Sequence, residues 1–450
     1  MSSLRLFLVV MITVSGLLGA YACGISLSLG FIIGLLALIG LAIQQGVGAK
    51  KLIHAMKQGI LHTKEVIWIL VLIGILIPSW TASGTIPFLI DAGLDWLNPA
   101  YYVTFAFVFS SLISMILGTS SGTLSAVGIP LIGIAGYLDI PLALVAGALV
   151  SGAFVGDRTS PFSSAHRLVA SSTGMSVKQQ YKYLLPTTVL AYLISVIFYG
   201  ASDVLGKWAS VHELVVGKSV YEGLFHYSPW LWIPLILLLG TILLRIPIKY
   251  GFLMSTTVAV VLGTYWQGIG FFSWLQILWS GYSSSDILSL HTKGLSDMID
   301  LVILIALAGA YNGILEETKM IEAYMGKLLG ERGSMLHATW RISIFGFITA
   351  MLSCTQTLPI MMTGRNLLPL WEKRYPKGHL SRIVADGPLV FAPLVPWNLI
   401  TILCATILGV PWEQYIVFTV FLWSLPLLTL LVSWYKGHSH TTTKQMNQSV

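Results

Sequence analysis

Charge is what this sequence has least of. Asp, Glu, Lys and Arg make up only 10% of its 450 residues, whereas soluble domains carry about 25%. A chain so poor in charge and 56% hydrophobic cannot clothe itself in a hydrated surface and needs an apolar solvent. Cysteine is as scarce. Cys23, Cys354 and Cys404 form no paired or metal-type spacing, which excludes a disulfide framework, a redox pair and a zinc site of the usual pattern. Histidine is the third shortage. Ten are present, and none falls in the middle of an apolar run. That removes the base a membrane serine hydrolase needs, although GTSSG at Gly118–Gly122 fits the G-x-S-x-G pattern. The expectation is a protein that is not an enzyme and carries no cofactor.

Apolar runs are what the chain has instead. Leu6–Ala22, Leu27–Ile43, Val66–Pro78, Tyr101–Leu117, Ile140–Val155, Leu184–Tyr199, Trp230–Leu244, Phe252–Tyr265, Leu301–Leu315, Ile342–Leu352, Leu389–Leu408 and Tyr415–Trp434 are each candidate spans. Crossing a bilayer takes roughly 17–25 residues, and several runs are shorter and end in Gly, Pro or Ser. The reading is an all-α polytopic membrane protein of about 11–13 helical segments, some re-entrant or discontinuous. Residues 1–450 form one integral membrane domain. Arg5 ahead of Leu6–Ala22, with Ala20-Tyr21-Ala22, resembles a signal peptide; in a polytopic chain the stretch is read as the first helix.

The net charge of +7 is unevenly spread. Lys50, Lys51, Lys57 and Lys64 form one basic cluster, Arg158, Arg167, Lys178 and Lys182 a second, and Arg365, Lys373, Arg374, Lys377 and Arg382 a third. Short basic loops face the cytoplasm. Asp91, Asp95 and the mixed 201–228 stretch fit the outer side, which places both termini in the cytoplasm, in the cytoplasmic membrane of a prokaryote. The basic loops flank membrane segments rather than form one face, so nucleic acid is excluded as a partner. Gly46–Lys64 reads either as a basic amphipathic surface helix or as a solvated loop.

Polar, Gly- and Pro-rich blocks interrupt the runs in a repeating order. IPSWTASGTIP around Trp80, GTSSGTLSAVGIP from Gly118 and GDRTSPFSS around Asp157 are followed, some 229–235 residues later, by AYNGILEETK around Asn312, SCTQTLPIMMTG from Ser353 and ADGPLVFAPLVPWN around Asp386. This predicts two repeats of inverted topology, over about 66–200 and 299–435. Broken apolar segments at matching places in two halves mark a transporter's substrate site, because irregular backbone at membrane depth survives only in protein or against a wet cavity.

The candidate site follows from the blocks. Asp157 and Asp386 are carboxylates near the membrane core, where a charge is costly and usually functional; each is an expected sodium ligand. Thr119, Ser120, Ser121, Thr123 and Ser160 supply hydroxyl oxygens from the first half, and Thr355, Gln356 and Thr357 oxygens from the second. Asn398 sits beyond Pro388, Pro393 and Pro396, which free backbone carbonyls. Trp80 and Ser83 are expected to line the first break. Glu316 reads either as a solvated helix end or as a proton-carrying carboxylate.

These motifs resemble the NhaC-type sodium/proton antiporter family. The resemblance is carried by WTASGTIP (80–87), GTSSGTLSAVGIPLIGIA (118–135), SGAFVGDRTSPFSS (151–164), GILEET (313–318) and LSRIVADGPLVFAPLVPWN (380–398). It implies sodium/proton exchange by alternating access, with functional positions at Asp157, Ser160, Asp386 and Asn398. The alternative it leaves is a proton- or sodium-coupled exchanger of small organic acids, such as malate and lactate, or of amino acids. Departures stand at Ser164, where the family often has an acidic residue, and at Phe391-Ala392, where hydroxyl residues are common. The expected partners are membrane lipids, sodium ions and protons, with a small organic anion and a second copy of the chain as further candidates.

Overall fold

A computed structural model describes residues 2–94, 97–206, 223–283, 292–318, 334–353 and 355–446. Asp95, Lys319, Cys354 and most of the 201–228 stretch lie outside them. Among the described residues all regular structure is helical. The main elements are α1 (Ser2–Ala22), α2 (Leu27–Gln44), α3 (Ala49–Ala82), α4 (Thr85–Leu94), α5 (Tyr102–Leu117), α6 (Ser120–Thr123), α7 (Ile129–Tyr137), α8 (Leu142–Thr159), α9 (Ser164–Ser172) and α10 (Val177–Gly206). They continue with α11 (Ile233–Leu243), α12 (Ile248–Trp266), α13 (Phe271–Ser280), α14 (Leu295–Thr318), α15 (Met335–Ser353), α16 (Thr357–Gly364), α17 (Lys377–Asp386), α18 (Leu399–Leu408) and α19 (Val420–Met446).

Seven helices among the described residues are long and apolar enough to cross a membrane: α2, α3, α5 with its leading turn, α8, α10, α14 and α15. Two further spans are bent pairs. Lys377–Leu394 meets Leu399–Leu408 at 55°, and Trp412–Phe418 meets Val420–Tyr435 at 50°. Leu8–Ala22, Thr85–Leu94 and Pro229–Leu243 are shorter apolar helices. The protein is thus an all-α, multi-pass membrane protein with discontinuous helices.

The breaks fall where the residues require them. Gly84 holds φ +82° between α3 and α4, and Gly118 holds φ +70° between α5 and α6, a left-handed conformation that a side chain disfavours. The backbone around Pro393 and Pro396 leaves helical geometry between Leu394 and Leu399. The Asn312 block differs from the expectation of an irregular stretch. Helix α14 runs through it without a break, because it holds no proline and its glycines serve packing. The Gly46–Lys64 stretch is neither a separate surface helix nor a loop. From Ala49 it is the first half of the 34-residue α3, which at 1.5 Å per residue is about 51 Å long and so outreaches the apolar core.

Close backbone approach organises the bundle. Helix α8 is its most enclosed span: 89% of its apolar window is buried, against 28% for α10. Gly152 and Gly156 make a Gly-x-x-x-Gly seam that lets α5 touch α8; a Cβ on Gly156 would stand 2.2 Å from the Ser114 backbone. Ser110 donates to the Leu149 carbonyl at 2.9 Å and Ser114 to that of Ala153. The α3–α14 pair repeats the device. Gly309 and Gly313 face Gly59, where an added Cβ would stand 2.0 Å from the Gly309 carbonyl oxygen. At the N-terminal end of α5, the buried Asp203 of α10 caps the helix, accepting from the Val103 and Thr104 amides at 3.0 and 2.9 Å.

Gly156→Val is expected to cost about 1–3 kcal/mol or more, as overpacking does, and to lower the Tm of the detergent-purified protein. Gly240→Ala is the control. Nothing lies within 4 Å of its Cβ, so the Tm should hold or rise.

Candidate ion-binding site

The polar groups that converge do so around the C-terminal end of α8. Asp157 lies in its last turn, only 6% exposed. A helix C-terminus is the negative end of the macrodipole, so the backbone here favours a cation or a proton over a bare carboxylate. Ser120, from the hairpin tip, donates to Asp157 Oδ2 at 3.3 Å, and Ser163 donates to Oδ1 at 3.1 Å. The side-chain amide of Gln356, from the second half, also hydrogen-bonds Asp157, while its Nε2 donates to the Leu389 carbonyl at 3.1 Å. Hydrogen-bond donors of both halves thereby face one carboxylate. Neither ion pair among the described residues involves Asp157.

Asp386 is the contrasting case. It is fully buried, and Arg158 is its counter-ion: the guanidinium Nε donates to Oδ1 at 2.8 Å, and Nη2 donates to the same oxygen. Thr188 and Thr187 take two of the three remaining Arg158 donors at 2.5 and 3.0 Å. Its second oxygen, Oδ2, has no hydrogen-bond partner among the described residues. Adjacent residues of one helix thus divide the work, Asp157 facing the hairpin tips and Arg158 bridging to α17. Arg382, also buried, donates to Thr429 and Ser433 at 2.9 and 3.0 Å.

Other expected residues lie around this centre or away from it. Ser160 donates to the Met115 carbonyl at 2.7 Å. Thr123 donates to the Thr119 carbonyl at 2.7 Å, and the Thr119 and Ser121 hydroxyls are 3.3 Å apart. The Thr355 carbonyl accepts from Ser353 at 3.0 Å, and Thr357 is exposed at the start of α16. Asn398 caps α18, accepting from the Ile400 amide at 3.2 Å, and donates to the Ala350 carbonyl at 3.4 Å. Its neighbour Trp397 donates to the Met351 carbonyl at 2.7 Å. Ser160 and Trp397 therefore serve the same end. Each follows an Asp block and caps the carbonyl of a methionine near the end of the preceding long helix, α5 or α15.

Trp80 donates to Ser255 of α12 at 2.9 Å, and the Ser83 carbonyl accepts from Gln267 at 3.2 Å; these contacts tie the first break to α12. Glu316 is exposed at the end of α14, beside Glu317, which pairs with Lys51 at 3.2 Å. A cavity of about 600 Å³ between α3, α4, α7 and α18 is lined chiefly by isoleucines and glycines. Leu142, at the start of α8, is among its lining residues, and Asp157 is not.

Three contributors are not among the site residues named from the sequence. Ser163 and Arg158 lie inside the Asp157 block, but their partners depend on the fold. His166, fully buried in α9, accompanies them. Burial pushes its imidazole down to about 4, and the Arg158 and Arg167 charges act the same way, against the hydrogen bond to the Arg158 carbonyl. The ring is therefore neutral at pH 7, with Nδ1–H donating to that carbonyl at 2.6 Å. Ser120 of the GTSSG block is paired with a carboxylate rather than with this imidazole.

Breaking the buried pair should be strongly destabilising. Asp386→Asn strands a buried guanidinium, at a cost of about 3–5 kcal/mol read as a lower Tm in detergent. Arg158→Gln combined with Asp386→Asn should recover part of that loss. A double variant no better than the sum of the singles would show that the pair is not coupled.

The chain resembles known transporters along most of its length. It is 27% identical over 390 residues to the malate-2H⁺/Na⁺-lactate antiporter of Bacillus subtilis strain 168, covering 84% of this chain and 82% of that one. It is 29% identical over 399 residues to the Na⁺/H⁺ antiporter NhaC of the same organism, covering 86% of each. The arginine/ornithine antiporter ArcD of Halobacterium salinarum is 28% identical over 364 residues, covering 78% of this chain and 74% of that one. Residues 168–436, more than half of the chain, match the model of the Na⁺/H⁺ antiporter family. Together with a multi-pass helical fold whose halves meet at a buried carboxylate, that match establishes that the chain belongs to the Na⁺/H⁺ antiporter family.

Proposed function

We propose that this protein exchanges sodium for protons across the cytoplasmic membrane of a prokaryote, by alternating access, with Asp157 as the carboxylate the two ions share. The observation that carries this reading is the contrast between Asp157 and Asp386; the third buried carboxylate among the described residues, Asp203, is committed to the Val103 and Thr104 amides that it caps. Asp386 has its positive charge supplied by Arg158. Asp157, in the last turn of α8, has hydroxyl and amide donors but no ion-pair partner among the described residues. A buried carboxylate without a fixed counter-ion is neutralised by whatever small cation arrives. Sodium and a proton compete for it, and one leaves as the other binds. Ser120, Ser163 and Gln356 hold its shape, and their oxygens are available to a cation when the donors turn away. Asp386 acts as a positioning residue that joins the halves through Arg158.

Two arrangements support a shared site between inverted repeats spanning about 66–200 and 299–435. Helix α10 packs on α17 while α19 packs on α8, and α10 and α19 meet each other. The Met115 and Met351 carbonyls are capped alike by the blocks that follow Asp157 and Asp386. The lysine-rich start of α3 fits a cytoplasmic inner face, with both termini on that side. Cation cargo is favoured over a carboxylate cargo because both buried guanidiniums are occupied by protein groups, Arg158 by Asp386 and threonines, Arg382 by Thr429 and Ser433.

Proteoliposomes with an acidic lumen give the test. External Na⁺ should raise internal pH with the wild-type chain and not with Asp157→Asn, which keeps the shape and removes the titration. Ser120→Ala should raise the apparent sodium KM by about 2–10-fold, the weight of one hydrogen bond. Proton movement driven by malate or lactate but not by Na⁺ would overturn the sodium reading.

A further inference from the structure

The end of α15 gathers side-chain amides as no other helix end described above does. The last four carbonyls of a helix lack intrahelical partners. In α15, Asn398 donates to the Ala350 carbonyl at 3.4 Å and Trp397 to that of Met351 at 2.7 Å. Asn312, from the middle of α14, donates through Nδ2 to the carbonyl of Ser353, the last residue of α15. With Nδ2 fixed there, the other half of the same amide is fixed beside it. Asn312 is 6% exposed, and its Oδ1 has no partner among the described residues. Next to it the chain leaves helical geometry. Ser353 Oγ donates to the Thr355 carbonyl at 3.0 Å, and a carbonyl oxygen that accepts one hydrogen bond keeps a second lone pair.

The mounting of Asn312 is rigid. It stands between Gly309 and Gly313, which hold α14 backbone-to-backbone against Gly59 of α3. The backbone that carries the amide is thereby fixed, and its Nδ2 is held by the Ser353 carbonyl. A buried acceptor left unmatched costs free energy, so the arrangement calls for something positive or hydrogen-bearing at Oδ1. The surroundings choose between these. The C-terminus of a 19-residue helix carries the negative end of its dipole, and unwound carbonyls at half-helix C-terminal ends coordinate cations in transporters.

We propose that Asn312 Oδ1, with the Ser353 and Thr355 carbonyls, forms a second, uncharged binding position for a monovalent cation, distinct from Asp157. The proposal rests on the sodium reading above and deepens it. The second half then contributes a cation position of its own at its hairpin, as the first half does at Asp157. Because its ligands do not titrate, this position takes a cation without releasing a proton. Thr355 is followed by Gln356, whose side chain faces Asp157, so the two positions are neighbours.

Equilibrium binding of ²²Na⁺ to the purified full-length chain at alkaline pH, where carboxylates are ionised, separates the outcomes. The wild-type chain should bind two ions, Asn312→Ala one, and Asp157→Asn one. Asn312→Asp retains an oxygen at the position and should keep two ions although it loses the donor to Ser353. One ion on the wild-type chain, or two on Asn312→Ala, would overturn the second position. A loss of one ion in both Asn312 variants would make Asn312 a clamp on α15 only and would likewise overturn its role as a ligand. No ion on the wild-type chain would instead overturn the sodium reading itself.

Discussion

A carboxylate held away from water has to be matched by a positive charge or a proton, and the C-terminal end of α8 is arranged around that requirement. Asp157 and Asp386 are both buried, and Arg158, the residue next to Asp157, pairs with Asp386. Asp386 thus has its counter-ion, and in the proposed mechanism Asp157 is left to exchangeable ions. This division follows from helical geometry: consecutive residues point about 100° apart, so Asp157 faces the hairpin tips while Arg158 faces α17. The fixed pair joins α8 to α17, and the proposal gives the cargo to the open carboxylate.

The rest of the bundle serves to keep that place dry and rigid. Lipid offers no hydrophobic drive between helices, so close van der Waals contact and interhelical hydrogen bonds hold them. The chain meets this with glycines and serines on α5, α8, α3 and α14. The helix ends that border the site are finished by side chains instead of water: Ser160 on α5, and Trp397, Asn398 and Asn312 on α15. Irregular backbone can then sit in the protein interior with its polar groups largely matched.

The class of fold is legible in the sequence, because apolar length and scarcity of charge are direct consequences of the bilayer. Asp157, Ser120 and Gln356 are legible as members of hydroxyl-rich blocks that interrupt apolar runs. What composition cannot carry is partnership. Nothing local says that Arg158 serves Asp386 rather than its neighbour Asp157, or that Pro-Trp-Asn at 396–398 turns back to cap α15. Trp80 and Ser83 belong to a genuine break, yet their contacts run to α12 and Gln267, since a helix end needs partners whether or not it binds cargo. Asn312 reads as part of a repeat block and becomes distinctive only when its free oxygen is seen beside Ser353.

The central claim is that one carboxylate holds either a proton or a sodium ion. Proton release on sodium binding measures this most directly, with the detergent-purified chain in weakly buffered solution and a pH-sensitive dye. At a pH where Asp157 is protonated, added Na⁺ should displace about one proton per chain from the wild-type protein and none from Asp157→Asn, with K⁺ as the control for ionic strength. Undiminished release from Asp157→Asn would contradict the account.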